Sequence, residues 1–250
     1  MSRKKTKSNL TKLTLSLIIL IFIGIMGYFN PNIKNILLPT NNSNLIYESS
    51  FDLDTIPDFN STPYVIINNN IPNFNDEELT TKSFENYSNL DSLGRCGTAF
   101  ANLCIDTMPS DNEERESISA IKPSGWVNKK YEIVDGGYLY NRCHLIGYQL
   151  SAENANEKNL ITGTRYMNTE GMLPFENKVA EYIKETRNHV LYRVTPIYDG
   201  SNLVASGLQI EAKSVEDDGK GICFNVYCYN VQPGIEINYK TGESKKSASF

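Results

Sequence analysis

YNRCHLIG, residues 140–147, places His144 directly after a strand-like run that begins behind the turn Asp135-Gly136-Gly137. An Asn-rich loop, residues 153–160, follows it. Beyond this loop, apolar side chains recur at three-to-four spacing, which is typical of an amphipathic helix of about three to four turns. These apolar positions are Met172, Phe175, Val179, Tyr182 and Ile183. The region therefore predicts a strand, a loop and a helix around His144.

Strand signals lie on both sides of this region. Alternating or β-branched runs cover residues 64–68 and 93–103 before it, and residues 190–198, 203–214 and 222–231 after it. A hairpin through residues 240–242 adds a further strand. Strands, then a helix, then strands again predict an α+β fold in which an antiparallel sheet is flanked by helices.

The charge of the chain is unevenly distributed. The formal net charge is −5, from 24 Lys and Arg residues against 29 Asp and Glu residues. Five of the positive residues lie within residues 1–12, which hold no acid, so the rest of the chain carries 19 positive and 29 negative side chains. This balance argues against a protein whose whole surface binds a polyanion, and any such contact must come from local basic residues.

Residues 13–29, LTLSLIILIFIGIMGYF, carry no charge. As a helix they would be about 26 Å long, near the lower limit for crossing the hydrocarbon core of a bilayer. A buried core helix usually has one polar face, which this segment lacks. A cleaved signal peptide is the other alternative, although no small-x-small cleavage site follows. We therefore expect an uncleaved transmembrane signal anchor, with the basic residues in the cytoplasm and the acidic part outside it.

The chain is thus predicted to consist of four segments in a single-pass protein of the cell membrane. They are a cytoplasmic basic tip (residues 1–12), a transmembrane signal anchor (residues 13–29), a stalk (residues 30–58) and an extracytoplasmic folded domain (residues 59–250). Its five cysteines do not form an even disulfide framework, and no C-x₂-C pair indicates a structural zinc site. Burial as small apolar residues is the expectation for most of them.

An ordered set of polar residues accompanies His144. The set Asn141-Arg142-Cys143-His144, Asn159, Asn168 and Glu176 resembles the DNA/RNA non-specific endonuclease family of His-Me finger (ββα-metal) nucleases. It is most similar to the membrane-bound bacterial DNA-entry branch of that family. The resemblance covers residues 60–245 and is densest over residues 93–126 and 138–177.

The resemblance implies a ββα-metal catalytic motif and a role for each matching residue. His144 matches the general base of the family, and Asn168 matches its metal-ligand Asn. Asn159 and Glu176 match two further catalytic positions, and Arg142 lies inside the signature. The implied cofactor is Mg²⁺, with Mn²⁺ as a second candidate, and the implied substrate is DNA and also RNA.

The sequence departs from the family pattern at three positions. The family signature is Asp-Arg-Gly-His, so Asn141 and Cys143 replace Asp and Gly. This Asn-Arg-Cys-His form also looks like a version found within the DNA-entry branch. Ala180 replaces an Arg that better-known members carry one helical turn after the Glu. Lys178 or Arg95 would have to supply the missing positive charge.

The residue types also suit phosphodiester hydrolysis in their own right. A neutral imidazole with a pKa of about 6.5 can take a proton from water. An Asn carbonyl and phosphate oxygens are suitable ligands for a hard cation such as Mg²⁺. Glu176 could hold the water molecules around that cation, and the planar guanidinium of Arg142 could pair with a phosphate oxygen.

Local basic residues are the candidates for nucleic-acid contact. They are Arg95, Arg115, Lys129, Lys130 and Arg165. The resemblance favours nucleic-acid contact by Lys129, Lys130 and Arg115, because the DNA-entry branch carries basic residues in the loop before the signature. Trp126 and nearby tyrosines are available for stacking on bases. Because no base-reading motif is present, we expect sequence-independent contact with the nucleic-acid backbone.

These observations predict a membrane-anchored, extracytoplasmic, metal-dependent endonuclease without sequence specificity. A non-catalytic surface receptor that captures DNA is the alternative from a different class, because the signature is altered at Asn141 and Cys143. A nuclease released after cleavage of the N-terminal helix is the third interpretation. Protein partners are not predicted.

Overall fold

An antiparallel sheet of six strands dominates the computed structural model, which describes residues 55–110 and 115–248 of the chain. In chain order, the strands of the described residues are β1 (Tyr64–Ile66), β2 (Phe84–Tyr87), β3 (Ala99–Leu103), β4 (Tyr140–His144), β5 (Leu160–Thr164), β6 (Val190–Ile197), β7 (Gly207–Ser214), β8 (Cys223–Tyr229), β9 (Ile235–Ile237) and β10 (Ser244–Lys246). The α-helices are α1 (Tyr148–Ser151) and α2 (Leu173–Thr186). Shorter turns are the 3₁₀ turns Asn68–Asn70, Asp76–Glu78, Ile105–Thr107 and Glu157–Asn159, and the π-helical turn Met167–Met172.

The main sheet has the strand order β1-β8-β7-β6-β3-β2. All eight residues of β6 are buried, and the neighbouring β7 and β8 are buried except at Lys213 and Cys223. Apolar side chains of these strands, such as Leu208 and Ile210, alternate with buried polar ones, such as Gln209 and Glu211, as expected when successive side chains point to opposite faces of a sheet. These three strands form the centre of the core.

A buried ion pair joins two of the central strands. Arg193 on β6 lies opposite Glu211 on β7, and its Nε donates to a Glu211 carboxylate oxygen at 2.9 Å. The rings of Phe74 and Phe100 cover the guanidinium. The backbone N–H of Asn73 donates to Glu211 at 2.7 Å, and the carbonyl of Asn73 accepts from Arg193 at 2.6 Å. The segment before β2 is thereby fixed against the sheet.

β4 and β5 form a separate antiparallel pair in which His144 lies opposite Leu160. The π-helical turn and α2 follow β5 directly. This succession of two strands and a helix matches the ββα arrangement that the resemblance implied around His144.

α2 packs into the core through one face. Val179, Ala180 and Ile183 are buried, whereas Glu181 and Lys184 are exposed. Pro174 lies in the first turn, where its missing N–H costs no intrahelical hydrogen bond. The helix predicted from the apolar spacing is confirmed.

The strand predictions differ from the structure at several places, and β2 and β5 were not predicted as strands. Residues 93–103 form a strand only from Ala99, because the Asp91 carboxylate accepts from the backbone N–H groups of Leu93 and Arg95 and folds this stretch into a turn. The hairpin through residues 240–242 is present as β9 and β10, but it forms its own sheet. The antiparallel α+β architecture is confirmed.

Residues 57–63, here called the N-terminal strap, pack beside the π-helical turn. The hydroxyl of Tyr229 donates to the carbonyl of Pro57 at 2.6 Å, and that of Tyr166 donates to the carbonyl of Ser61 at 3.2 Å. The ring of Phe59 meets both tyrosine rings edge-on. Contacts of the folded domain therefore begin two residues before the predicted boundary at residue 59.

The predicted basic tip and signal anchor, and most of the predicted stalk, lie outside the described residues. Over residues 55–110 and 115–248, no helix combines the length and the apolar character needed to cross a membrane.

Candidate active site

A cleft of about 810 Å³ opens beside β4 and the start of α2. His144, Asn168 and Glu176 line it, together with Arg115 and Arg142. The fold thus brings four of the five predicted catalytic and metal-binding residues into one cavity, Asn159 being the exception.

His144 is the last residue of β4, and its side chain is buried with 8% exposure. Its Nε2 lies 2.8 Å from the backbone carbonyl of Asn154. Because a carbonyl only accepts hydrogen bonds, Nε2 carries the proton and Nδ1 keeps its lone pair. Burial lowers the pKa of His144, the hydrogen bond to Asn154 opposes that effect, and the positive charge of Arg115 lowers the pKa further. The imidazole is therefore neutral over the physiological pH range.

Asn159 lies behind His144 and is fully buried. Its side-chain oxygen accepts from the backbone N–H of Ile146 at 2.9 Å, and its side-chain nitrogen donates to the carbonyl of Ile146 at 3.0 Å. Its own carbonyl accepts from the N–H of Leu145 at 2.8 Å. The amide group predicted to be catalytic is thus occupied in fixing the backbone that follows His144, and it does not line the cleft.

The π-helical turn sets the angle about the helix axis between the side chains of Asn168 and Glu176. In a continuous α-helix, residues eight apart are separated by about 80° beyond two full turns. A π-helical turn rotates less per residue, so it brings the two side chains closer to alignment. Asn168 lies in this turn and makes no side-chain hydrogen bond with a described residue. Its amide is therefore available to a ligand in the cleft.

Glu176 is a buried carboxyl group at the floor of the cleft, with 9% exposure. Burial raises its pKa to about 7, and a hydrogen bond from Gln149 opposes the shift. The carboxylate approaches the backbone of Gly147 so closely that a Cβ there would lie 2.6–2.9 Å from it. Gly147 has φ −59°, which any residue adopts, so glycine is needed here for space.

Arg142 lines the cleft, but the fold also uses its guanidinium. Nε donates to the carbonyl of Ile121, and an Nη donates to the carbonyl of Ser119 at 2.7 Å. The guanidinium also lies over the ring of Trp126, 4.3 Å from its centroid. Arg142 therefore holds the loop of residues 118–126 beside the cleft, which sequence analysis did not anticipate.

Two of the predicted nucleic-acid-binding residues lie at the cleft. Arg115 is exposed, lines the cleft and stacks over the ring of Tyr148 at 4.7 Å. Lys130 is exposed, and its Nζ lies 4.7 Å from the ring centroid of Tyr138, which lines the cleft.

The other three predicted basic residues contact the fold elsewhere. Arg95 pairs with Asp91 at 2.7 Å and donates to the carbonyls of Gly200 and Asn202. Lys129 donates to the carbonyl of Ser244 at 3.0 Å, and Arg165 pairs with Asp135 at 2.8 Å. None of the three lines the cleft. Because these contacts hold Arg95 and it does not line the cleft, Arg95 does not replace the positive charge missing at Ala180.

One of the three departures from the family pattern has a structural explanation. The Sγ of Cys143 occupies space beside Gly163 on β5, where a Cβ would lie 2.4 Å from it. Glycine on the partner strand thus makes room for Cys143. Ala180 is buried at 4% exposure within the core, and Asn141 lines the cleft. Neither of these two replacements has a structural explanation.

The five cysteines are all unpaired, a point that the sequence had left open, and the expected burial of most of them is confirmed. Four are buried and Cys223 is exposed. Among the described residues, no group of three or more His, Cys, Asp and Glu side chains could hold a metal ion.

Sequence analysis missed Gly147, Asn154 and Tyr138. The Gly after His144-Leu145-Ile146 was a visible signal for a close approach, but the approaching group lies 29 positions later in the chain as Glu176. Asn154 acts through its backbone carbonyl, which leaves no signal in the residue type.

A model of the DNA/RNA non-specific endonuclease family matches residues 72–216, which include His144, Asn168 and Glu176. The structure of NucA from Streptococcus agalactiae with magnesium bound is similar, at 27% identity and a TM-score of 0.63 over 73% of this chain and 86% of that one. The structure of Sda1 nuclease with bound zinc is similar at 26% identity and a TM-score of 0.65, over 74% of this chain and 97% of that one. The family match spans more than half of the chain. The chain therefore belongs to the DNA/RNA non-specific endonuclease family and is a nuclease.

Proposed function

We propose that this chain is a membrane-anchored, metal-dependent endonuclease that hydrolyses DNA and RNA without sequence specificity. The observation that carries the proposal is the neutral imidazole of His144, which shares one cleft with Asn168 and Glu176 and keeps Nδ1 free of hydrogen bonds to described residues. His144 is the proposed general base and Asn168 the proposed metal ligand.

Nδ1 of His144 would take the proton of the attacking water. The carbonyl of Asn154 fixes the tautomer and stabilises the imidazolium that forms, because Nε2–H remains its donor. Asn159 contributes by holding the backbone after His144, so it is a positioning residue in this mechanism.

The donor set fits a divalent cation. The Asn168 amide reaches the cleft without a described partner, and Glu176 supplies a carboxylate on the same wall that can accept from coordinated water. When bound, Mg²⁺ or Mn²⁺ would neutralise charge on the phosphate oxygens. The magnesium in the NucA structure and the zinc in the Sda1 structure support a divalent cation here.

Arg115 is the residue best placed to contact the phosphate backbone, because it is exposed at the cleft. Lys130 extends the positive charge along the rim. Contacts of this kind are independent of base sequence. These contacts, together with the family to which the chain belongs, support DNA and also RNA as the substrate.

We also propose that residues 13–29 anchor the enzyme in the cell membrane, with residues 1–12 in the cytoplasm and the nuclease domain outside it. The apolar run and the preceding positive charges support this orientation. Release by cleavage of this segment is the alternative that protein sequencing of the mature N-terminus would reveal.

The test is digestion of supercoiled plasmid and of RNA, with Mg²⁺ and with chelator. We expect wild type to cleave both only with the metal, and His144→Ala to lose at least about 100-fold in rate while it still binds DNA. His189→Ala is the matched control, because His189 pairs with Glu216 away from the cleft. It should cleave at the wild-type rate.

Two outcomes would contradict the proposal. Cleavage by His144→Ala at the wild-type rate would exclude this histidine as the base. Binding of DNA by wild type without any cleavage in Mg²⁺ or Mn²⁺ would favour the non-catalytic receptor.

A further inference from the structure

Three aromatic rings line the cleft, and each has a cation over its face. Arg142 lies 4.3 Å from the ring of Trp126, Arg115 lies 4.7 Å from Tyr148, and Lys130 lies 4.7 Å from Tyr138. Positive charge interleaved with aromatic rings is typical of surfaces that bind single-stranded nucleic acid. The three pairs differ in how accessible their members are.

The pair of Tyr138 and Lys130 is the most accessible one. Tyr138 is 48% exposed, whereas Trp126 and Tyr148 are partly buried. The Tyr138 hydroxyl makes no hydrogen bond with a described residue, and Lys130 forms no ion pair with one. Arg142, in contrast, already donates to two carbonyls. Neither member of the Tyr138 pair is thus required to hold the domain together.

Tyr138 lies on the same wall as the catalytic histidine. Residues 138, 140, 142 and 144 all line the cleft, as expected when alternate residues of an extended segment share a face. Tyr138 lies six positions before His144, so the two are at most about 20 Å apart along the chain. A strand bound at His144 would therefore have Tyr138 within reach of a few of its nucleotides.

The half-exposed ring of Tyr138 can stack on the substrate only where the substrate presents the face of a base. In a duplex, each base face is covered by its neighbours, whereas an unpaired strand leaves base faces free for stacking on a side chain. Lys130, beside the same ring, would meet the phosphate of the stacked nucleotide.

We infer that Tyr138 and Lys130 form a stacking site for an unpaired nucleotide, which gives the enzyme a preference for single-stranded or locally melted nucleic acid. The inference rests on the proposed function, since it concerns the same cleft. It makes Tyr138 a specificity-determining residue and Lys130 its phosphate contact.

Binding can be measured without cleavage in the full-length His144→Ala chain. The probes are a fluorescent oligothymidylate of 20 nucleotides and a hairpin-closed duplex of 20 base pairs, followed by anisotropy in buffer with chelator. Adding Tyr138→Ala should raise Kd for the single strand about tenfold, within the range for the loss of one base–aromatic stack. Kd for the duplex should change less than twofold.

Three further variants sharpen the measurement. Tyr138→Phe keeps the ring and should restore most of the lost single-strand affinity. Lys130→Gln should reduce the salt dependence of binding to both probes, because it removes a phosphate contact. Ile133→Ala is the control, since Ile133 is a 54% exposed apolar residue of the same loop that does not line the cleft.

Equal weakening on both probes, or unchanged single-strand affinity in Tyr138→Ala, would overturn the inference. Failure of the proposed function is distinguishable, because it would show as absence of plasmid and RNA cleavage by the chain with an intact His144. Cleavage assays of single strands against duplex with Tyr138→Ala, in the otherwise wild-type chain, provide the second measurement and should show the same selective loss.

Discussion

The position, the tautomer and the charge of the His144 ring are each determined by a different feature of its surroundings. The strand end places it in the cleft, the Asn154 carbonyl selects its tautomer, and burial keeps it uncharged. Gly147 performs the equivalent task for Glu176 by leaving room for a carboxylate against the backbone. The two reactive side chains therefore depend on a backbone carbonyl, that of Asn154, and on the absence of a side chain at Gly147.

The lowered pKa of His144 predicts the pH dependence of cleavage. Protonation would occupy the Nδ1 lone pair, so activity should fall as the pH falls through a midpoint below 6.5, the ordinary value for histidine. The measurement is log kcat/KM against pH on a plasmid substrate. Arg115→Gln removes a nearby positive charge and should move the midpoint upward. Burial raises the pKa of Glu176 in the same cleft to about 7, so the shift with Arg115→Gln is what assigns the midpoint to His144. An unchanged midpoint in Arg115→Gln would show that His144 does not set it.

Gly147→Ala should disturb Glu176 selectively. The added methyl group would lie 2.6–2.9 Å from the carboxylate atoms, so the carboxylate has to move, while the backbone angle of residue 147 suits alanine. We expect at least about a tenfold loss of kcat/KM with an unchanged circular dichroism spectrum. Glu176→Asp in the same chain shortens the side chain and should recover part of the activity. Wild-type activity in Gly147→Ala would contradict the close approach.

At the scale of elements, the π-helical turn between β5 and α2 joins Asn168, the proposed metal ligand, to the helix. It changes the rotation between Asn168 and Glu176 without changing the number of residues between them. The N-terminal strap packs on Tyr166 immediately before this turn, so the turn is supported from one side.

Insertion of one alanine between Met172 and Leu173, where the turn meets α2, should rotate Asn168 relative to Glu176 by about 100°, the rotation of one α-helical residue. The Mg²⁺ concentration for half-maximal cleavage should then rise at least about tenfold, while the helix content by circular dichroism is retained. Thr169→Ala is the control, because it removes only the hydrogen bond to the Arg165 carbonyl and keeps the chain length. An insertion variant with wild-type metal dependence would argue against the role of this alignment.

The sequence predicted α2 and the central strands because their apolar spacing is local. It also predicted His144, Asn168 and Glu176 as neighbours, through the family resemblance, and the structure brings them into one cleft. The π-helical turn was not predicted, because its residues have no distinctive spacing. The roles of Arg95, Arg142 and Asn159 in holding the fold were also missed, since each depends on carbonyl groups from distant parts of the chain.

For the whole molecule, the charge balance decides how a polyanion can be held. Residues 13–250 carry more acidic than basic side chains, and Arg95 and Arg165 are paired with acids, whereas Arg115 is exposed and brings positive charge to the cleft. Binding away from the cleft should be weak and strongly screened by salt.

The substitution Arg115→Gln tests whether the positive charge of this residue at the cleft controls substrate binding. We expect kcat/KM to fall on DNA of any sequence, and the slope of log kcat/KM against log salt to become shallower by about one unit, the effect of one lost phosphate contact. Lys184→Gln is the control of equal charge change, on the exposed side of α2 and outside the cleft. Equal effects of the two substitutions would show that net charge, and not Arg115, controls binding.

The N-terminal strap also determines where mechanical load would enter the enzyme. Tension applied at residue 57 against a nucleic-acid strand gripped in the cleft would first reach the contacts of Pro57 and Phe59 with Tyr229 and Tyr166. Tyr166 directly precedes the turn that carries Asn168. Because Tyr229 ends β8, such a load would be divided between the central sheet and the turn that carries Asn168.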